Sequence, residues 1–342
     1  MHDIDYALGD TDTPYGPVVK SFEVEQEPAK DAAPAAAMPP KLNIKYLCPM
    51  ALLWLLCSSS EHFFQHVQHA TSGLQPQDAA AAAGRLSIYF DDVVPGNALR
   101  PDKGRSYMAI YWTILELPEY LLQRGWGWFV LAFVPKKVYK KILGAEAQLL
   151  RFVLKTFFPN GYSQGPGFSF APASGGIFLQ HGTRGCMVML RFCCFLADGD
   201  AFPKIGDAKS SSSTKPCPRC KNVVSRCQPE DIPAGTSLVH ITCGDPHKFL
   251  QWHPDELRDL HRYLTEQAAA LDNRELQLLE QKCGYKFAPH GLLASDMAEV
   301  ADLPNSLYMD WMHCICASGG MGQYELNQFL RRLQRQVKRK DR

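Results

Sequence analysis

The chain has 342 residues, 46% hydrophobic and 21% charged, which is the composition of a folded globular protein with one large or two modest domains. Its net charge of +1 excludes a global basic field, so any nucleic-acid surface has to be local. Twelve cysteines accompany an acidic N-terminus, Met1-His-Asp-Ile-Asp-Tyr6, where a secretory signal would be basic. This points to a reducing compartment, nuclear or cytoplasmic, and not to secretion.

Residues 1–44 read as a disordered N-terminal segment and linker, rich in Ala and Pro over Glu27–Pro40. Residues 45–84 read as a helical extension. Its apolar stretch Tyr46–Cys57 is shorter than the roughly 20 residues of a membrane span, so a buried helix after Pro49 is expected and no membrane partner. From residue 85 the pattern turns to strands: Leu86–Phe90, then Ser106–Leu117 stopped by Pro118, then Gly127–Pro135. Over Lys136–Phe158, apolar Val138, Ile142, Ala145, Leu149, Phe152, Val153 and Phe157 predict one long amphipathic helix, ended by Pro159-Asn-Gly161. Residues 161–185 read as irregular or a loose hairpin. Gly185–Ala197 is apolar on both faces, as in the middle of a covered sheet. Strand, strand, strand, helix, strand is the opening order of an RNase H-like fold. The expected architecture is α/β: an RNase H-like mixed sheet flanked by helices, its first part spanning 85–198. A zinc-knuckle and helical insertion over 199–305 precedes a last core helix with a basic tail over 306–342.

Three aspartates stand at structurally different places in that order. Asp91 follows the first strand, Asp198 ends the fourth, and Asp310 opens the predicted last helix. Phosphodiester chemistry on DNA uses two divalent metals roughly 4 Å apart. Mg²⁺ or Mn²⁺ asks for oxygen ligands on rigid elements, which three such carboxylates supply as catalytic residues. Asp92 and Asp200 are adjacent alternates, because a one-residue slip turns a strand side chain to the other face. Aspartates at strand ends and helix starts also serve as turn and N-cap residues, so the joint order carries the reading. His313 lies three residues after Asp310, on the same side of a helix, as an accessory contact to metal or substrate or as a hydrogen-bonded structural residue. Tyr324, Asn327, Arg331 and Arg335 continue toward a phosphate backbone. The last twelve residues hold seven Lys or Arg, which suits phosphate binding, nuclear import or a solvated helix end.

Cys217-x2-Cys220 and His240-x2-Cys243 form two ligand pairs separated by nineteen residues, the pattern of a structural zinc knuckle. Cys227 and His247 compete for the third and fourth positions, and a cysteine pair that merely packs is the alternative. Pro254–Leu264 and Asn273–Lys282 are predicted helices with solvated charged faces.

The segment Asp91-Asp-Val-Val-Pro-Gly-Asn-Ala-Leu-Arg-Pro101, followed by Leu117-Pro118, resembles the first-aspartate region of CACTA-type (En/Spm-like) DDE/D transposases. Phe195-Leu-Ala-Asp198, running into Gly206-Asp-Ala-Lys-Ser210 and Cys217-Pro-Arg-Cys220, is similar to that family's second-aspartate strand and its Cys-Pro-x-Cys. Tyr308-Met-Asp310-Trp-Met-His313 resembles its third-acid helix. The similarity spans roughly residues 85–330, is carried by these three islands, and fits a divergent, transposon-derived branch. It implies metal-dependent DNA cleavage and strand transfer, with DNA as partner and a homodimer pairing two ends. A second reading keeps the fold without the chemistry: a catalytically inactive, zinc-stabilised nucleic-acid-binding or interaction protein.

Overall fold

The computed structural model describes residues 11–26, 40–72, 83–97, 100–101, 103–197, 201–209 and 213–309. β1 (Val19–Glu25) and β2 (Lys41–Leu47) pair antiparallel, from Val19↔Leu47 to Glu25↔Lys41. The expectation of a disordered segment through residue 44 is corrected here. Val24 and Ile44 are buried, and Phe22 stacks on Phe152, so the alternating run Lys41–Leu47 has a core to cover. The helical pair expected next is present as α1 (Pro49–Ser59) and α2 (Glu61–Ser72). Pro49 occupies the first turn of α1, where a missing N–H costs nothing.

The main sheet has β3 (Gly84–Val93) at its centre. β4 (Tyr107–Ile114) pairs antiparallel with it, from Leu86↔Ile114 to Val93↔Tyr107. A connection carrying α3 (Glu119–Gln123) leads to β5 (Phe129–Pro135), antiparallel to β4. Successive side chains alternate between faces, so Leu86, Ile88 and Phe90 share one face of β3, while Ser87, Tyr89 and Asp91 share the other.

The long helix expected over 136–158 is two helices, α4 (Lys136–Tyr139) and α5 (Ala145–Phe157). Gly144 at φ +69° and Ala145 at φ +37° break it, a left-handed step that glycine takes freely and alanine at some cost. The break is fixed from outside: the Leu143 N–H donates to the Glu25 carbonyl, and the Gln148 side chain accepts the Glu25 N–H at 2.9 Å. α5 then lies on the Ile88 face of the sheet, where Phe157 meets Trp112 edge-on at 5.2 Å between ring centroids.

The strand expected over 185–197 is also divided. β6 (Ile177–His181) and β7 (Arg184–Val188) form a hairpin apart from the main sheet, and β8 (Leu190–Ala197) joins it. Gly185 lies beneath the Phe178 ring, where a Cβ would come within 2.2 Å of it, so the sequence there serves a tight hairpin. β8 runs parallel to β3, from Leu190↔Gly84 to Leu196↔Tyr89.

α6 (Ala201–Ile205) follows. The insertion then holds the parallel bridge of β9 (Val223–Val224) and β10 (Val239–His240), the helices α7 (Pro254–Ala270) and α8 (Asn273–Cys283), and the short α9 (Ala298–Ala301). Residues 307–309, just before the helix expected from Asp310, form strand β11 (Leu307–Met309). It runs parallel to β8, from Phe195↔Leu307 to Ala197↔Met309. The completed sheet reads β11-β8-β3-β4-β5, a mixed five-stranded sheet flanked by helices. Among the described residues no helix is long and apolar enough to cross a membrane.

Candidate functional site

Asp91 and Asp92 sit two and one positions before Val93, the last residue of β3, at the edge where β3, β8 and β11 all finish. Alternation separates them. Asp92 turns to the face of Leu86 and Ile88 and is held by the Lys136 ammonium at the start of α4. Asp91 turns to the face of Tyr89 and Tyr111. The Tyr111 hydroxyl is pushed above its ordinary pKa first by burial and then by the negative charge of Asp91.

Both aspartates line one cavity of about 170 Å³, together with Met108, Lys136, Glu146, Ala201 and Lys204. Glu146 is 4% exposed, in the first turn of α5, and meets the Lys204 ammonium at 3.3 Å. A carboxylate near a helix N-terminus is favoured by the helix dipole. The cavity therefore brings two ion pairs together, Asp92 with Lys136 and Glu146 with Lys204, and Asp91 borders it from β3. Its oxygen donors suit a hard divalent cation better than a soft one. Glu146 was invisible in the sequence, because an uninterrupted helix over 136–158 would carry it mid-helix with no special place. The Gly144-Ala145 step that aims it fell inside the apolar periodicity and gave no break there.

Asp198, Asp200, Asp310, His313, Tyr324, Asn327, Arg331, Arg335 and the basic tail lie outside the described residues. The described strands stop next to two of them: Ala197 ends β8 one residue before Asp198, and Met309 ends β11 one residue before Asp310.

In the insertion, Cys217 and Cys220 are side by side. The Cys220 thiol donates to Cys217 and, aided by the backbone N–H groups of Arg219 and Cys220, lowers the Cys217 pKa toward thiolate, the form that binds metal. The same pairing pushes Cys220 up. Among the described residues, no group of three or more His, Cys, Asp or Glu side chains is gathered to hold a metal ion. His240 and Cys243, and likewise Cys227 and His247, thus do not join the cysteine pair. His240 Nδ1 instead lies 2.7 Å from the Thr242 hydroxyl, and its backbone pairs with Val224.

The knuckle is stitched by other residues. Asn222 is buried and donates to the carbonyls of Ser237 (2.6 Å) and Lys248 (2.8 Å), while its side-chain oxygen accepts the Leu250 N–H at 2.8 Å. The Tyr285 hydroxyl donates to the Pro218 carbonyl at 2.6 Å. Asp207, in left-handed backbone at φ +56°, ties the turn after α6 to residues 286–293. Burial raises its carboxyl to about 7, opposed by the N–H groups of Leu292 and Leu293 and by Lys286. Its backbone carbonyl also receives the Lys286 N–H. Lys209 pairs with the buried Glu280 beside it.

No protein-family model and no curated protein matches this chain.

Proposed function

We propose that this chain is a DDE/D transposase-like protein of RNase H-like fold, in which Asp91, Asp198 and Asp310 form a two-metal site for cutting and joining DNA. One observation carries the reading. Tyr89, Leu196 and Tyr308 stand in register across three neighbouring parallel strands, and two residues after each of them the sequence has an aspartate. Side chains two apart share a face of a strand, so a strand path continued through the next two residues would bring the three acids to one face. The sheet order supports the fold assignment: a central strand β3, the antiparallel meander β4 and β5 on one side, and two later parallel strands on the other.

Two divalent cations bound there would supply the Lewis acidity that activates water and stabilises the leaving 3′-oxygen. The protein contributes rigid placement. Asp91 is fixed by β3 and its two neighbours, and Lys136 holds Asp92 aside on the opposite face. Asp91→Asn and Asp198→Ala are each expected to abolish Mg²⁺- or Mn²⁺-dependent cleavage of a DNA substrate while leaving the circular dichroism spectrum unchanged. Cleavage that persists in Asp198→Ala sinks the reading.

A structural zinc at Cys217 and Cys220 accompanies this reading, supported by the lowered Cys217 pKa. Metal analysis of the purified chain is expected to give one zinc per chain, lost in Cys217→Ser. An equal metal content in both proteins rejects it.

A further inference from the structure

The turn that starts at Lys136, on the wall of the cavity that Asp91 and Asp92 line, carries the densest run of positive charge among the described residues. Lys136, Lys137, Lys140 and Lys141 fall within six positions without an acid between them. β5 delivers them to this place: Pro135 pairs with Tyr107, which also pairs with Val93, so α4 begins at the sheet edge where Asp91 and Asp92 lie. Tyr139 and Ile142 are buried and pin the inner side of this turn. Lys137, Lys140 and Lys141 are therefore turned outward and are exposed.

Their neighbourhood leaves them uncompensated. Asp92 holds only Lys136. Glu25, whose carbonyl receives the Leu143 N–H, has its carboxylate 3.3 Å from His290 Nδ1. Among the described residues, Lys137, Lys140 and Lys141 make no ion pair. Like charges four apart on a helical turn, as in 136/140 and 137/141, repel by a few tenths of a kcal/mol each. In a chain of net charge +1 this concentration stands out.

We infer that the α4 ridge is a track for the phosphate backbone of duplex DNA, holding the strand beside the carboxylate cavity. The identity of the polyanion rests on the transposase-like reading, whereas the ridge itself rests on charge and position alone. A backbone lying on Lys137, Lys140 and Lys141 relieves their repulsion and releases counterions. It also presents a phosphodiester to the adjacent edge of β3.

The test is fluorescence anisotropy of a short labelled DNA duplex with the full chain, over a series of potassium chloride concentrations. The combined variant Lys137→Gln, Lys140→Gln, Lys141→Gln should bind about tenfold or more weakly at low salt, and its log–log salt slope should flatten by about 2–3. Lys137→Glu alone should flatten the slope by about 1. A double variant on α7, Arg258→Gln with Arg262→Gln, removes cations already paired with Asp255 and Asp259 and should leave the slope unchanged. The inference is overturned if the folded triple variant keeps wild-type affinity and slope, or if the wild-type chain binds no duplex. Binding through the ridge without any cleavage overturns the catalytic reading and leaves the ridge standing. Cleavage with an unaltered salt slope does the reverse.

Discussion

Trp112, Phe157 and Phe195 in the sheet region and Asn222, Glu280 and Asp207 around the insertion are all buried, but they stabilise their regions differently. Around the sheet, apolar rings pack on one another, with Phe90 against Phe195 at 4.9 Å and Trp112 against Phe129 at 4.7 Å between centroids. In the insertion, α7 buries Leu257 and Leu264 and α8 buries Glu280, and beside apolar Tyr285, Leu292 and Met297, buried polar side chains bonded to backbone groups help to hold the segment. Apolar packing tolerates changes of pH, whereas a hydrogen-bonded, partly ionised framework does not.

The largest expected effect breaks the sheet. Trp112→Ala should cost about 3–5 kcal/mol, read in urea denaturation followed by circular dichroism. A loss under about 1 kcal/mol would show that the sheet does not depend on this packing. Next comes Asp207. Its folded carboxyl is raised to about 7 by burial, so the folded state keeps a proton that the unfolded chain releases near pH 4. That contribution is present below about pH 4 and is lost as pH rises toward 7, on the order of a few kcal/mol. Asp207→Asn should flatten the stability-versus-pH curve across that window, and an unchanged curve would refute the assignment. Asn222→Ala removes three hydrogen bonds and should cost about 2–3 kcal/mol. The loss should be local: amide exchange speeds up over residues 213–252 while β3 and β4 stay protected. Uniform acceleration would mean that the two regions unfold as one. The smallest effect is at Lys204, whose side chain is 56% exposed. Lys204→Ala should change stability by less than about 1 kcal/mol by the same denaturation measurement.

The sequence made the β3, β4 and β5 strands readable, because β-branched and aromatic residues fill them and Pro118 and Pro135 punctuate them. The pair α1 and α2 was readable for the same kind of reason, an apolar run with Pro49 at its start. The misses share a cause in contacts distant along the chain. Apolar periodicity continues through Gly144 and Ala145, but the backbone of Glu25 captures Leu143 and ends α4. β1 looks like part of a linker until Phe152 supplies the surface it covers. β11 is three residues long, and only its partner Phe195-Leu196-Ala197 makes it a strand. At the site, Asp91 was legible at the strand end, with Asp92 as its alternate. Which face each takes required the register with β4, and Glu146 required the broken helix. The cysteine pair was legible from its spacing, while Asn222 and Asp207 gave no pattern, since a lone polar residue looks the same buried or exposed.

β8 lies between β3 and β11, yet 109 residues separate Ala197 from Leu307. During synthesis the chain therefore presents β8 as an open sheet edge until the whole insertion has emerged. An unpaired edge strand is a template for pairing with other chains, and sheet closure from so far along the chain is slow. The nascent protein is most prone to aggregate in this interval, so a slower ribosome through the insertion would lengthen the exposure of the same edge that later borders the site.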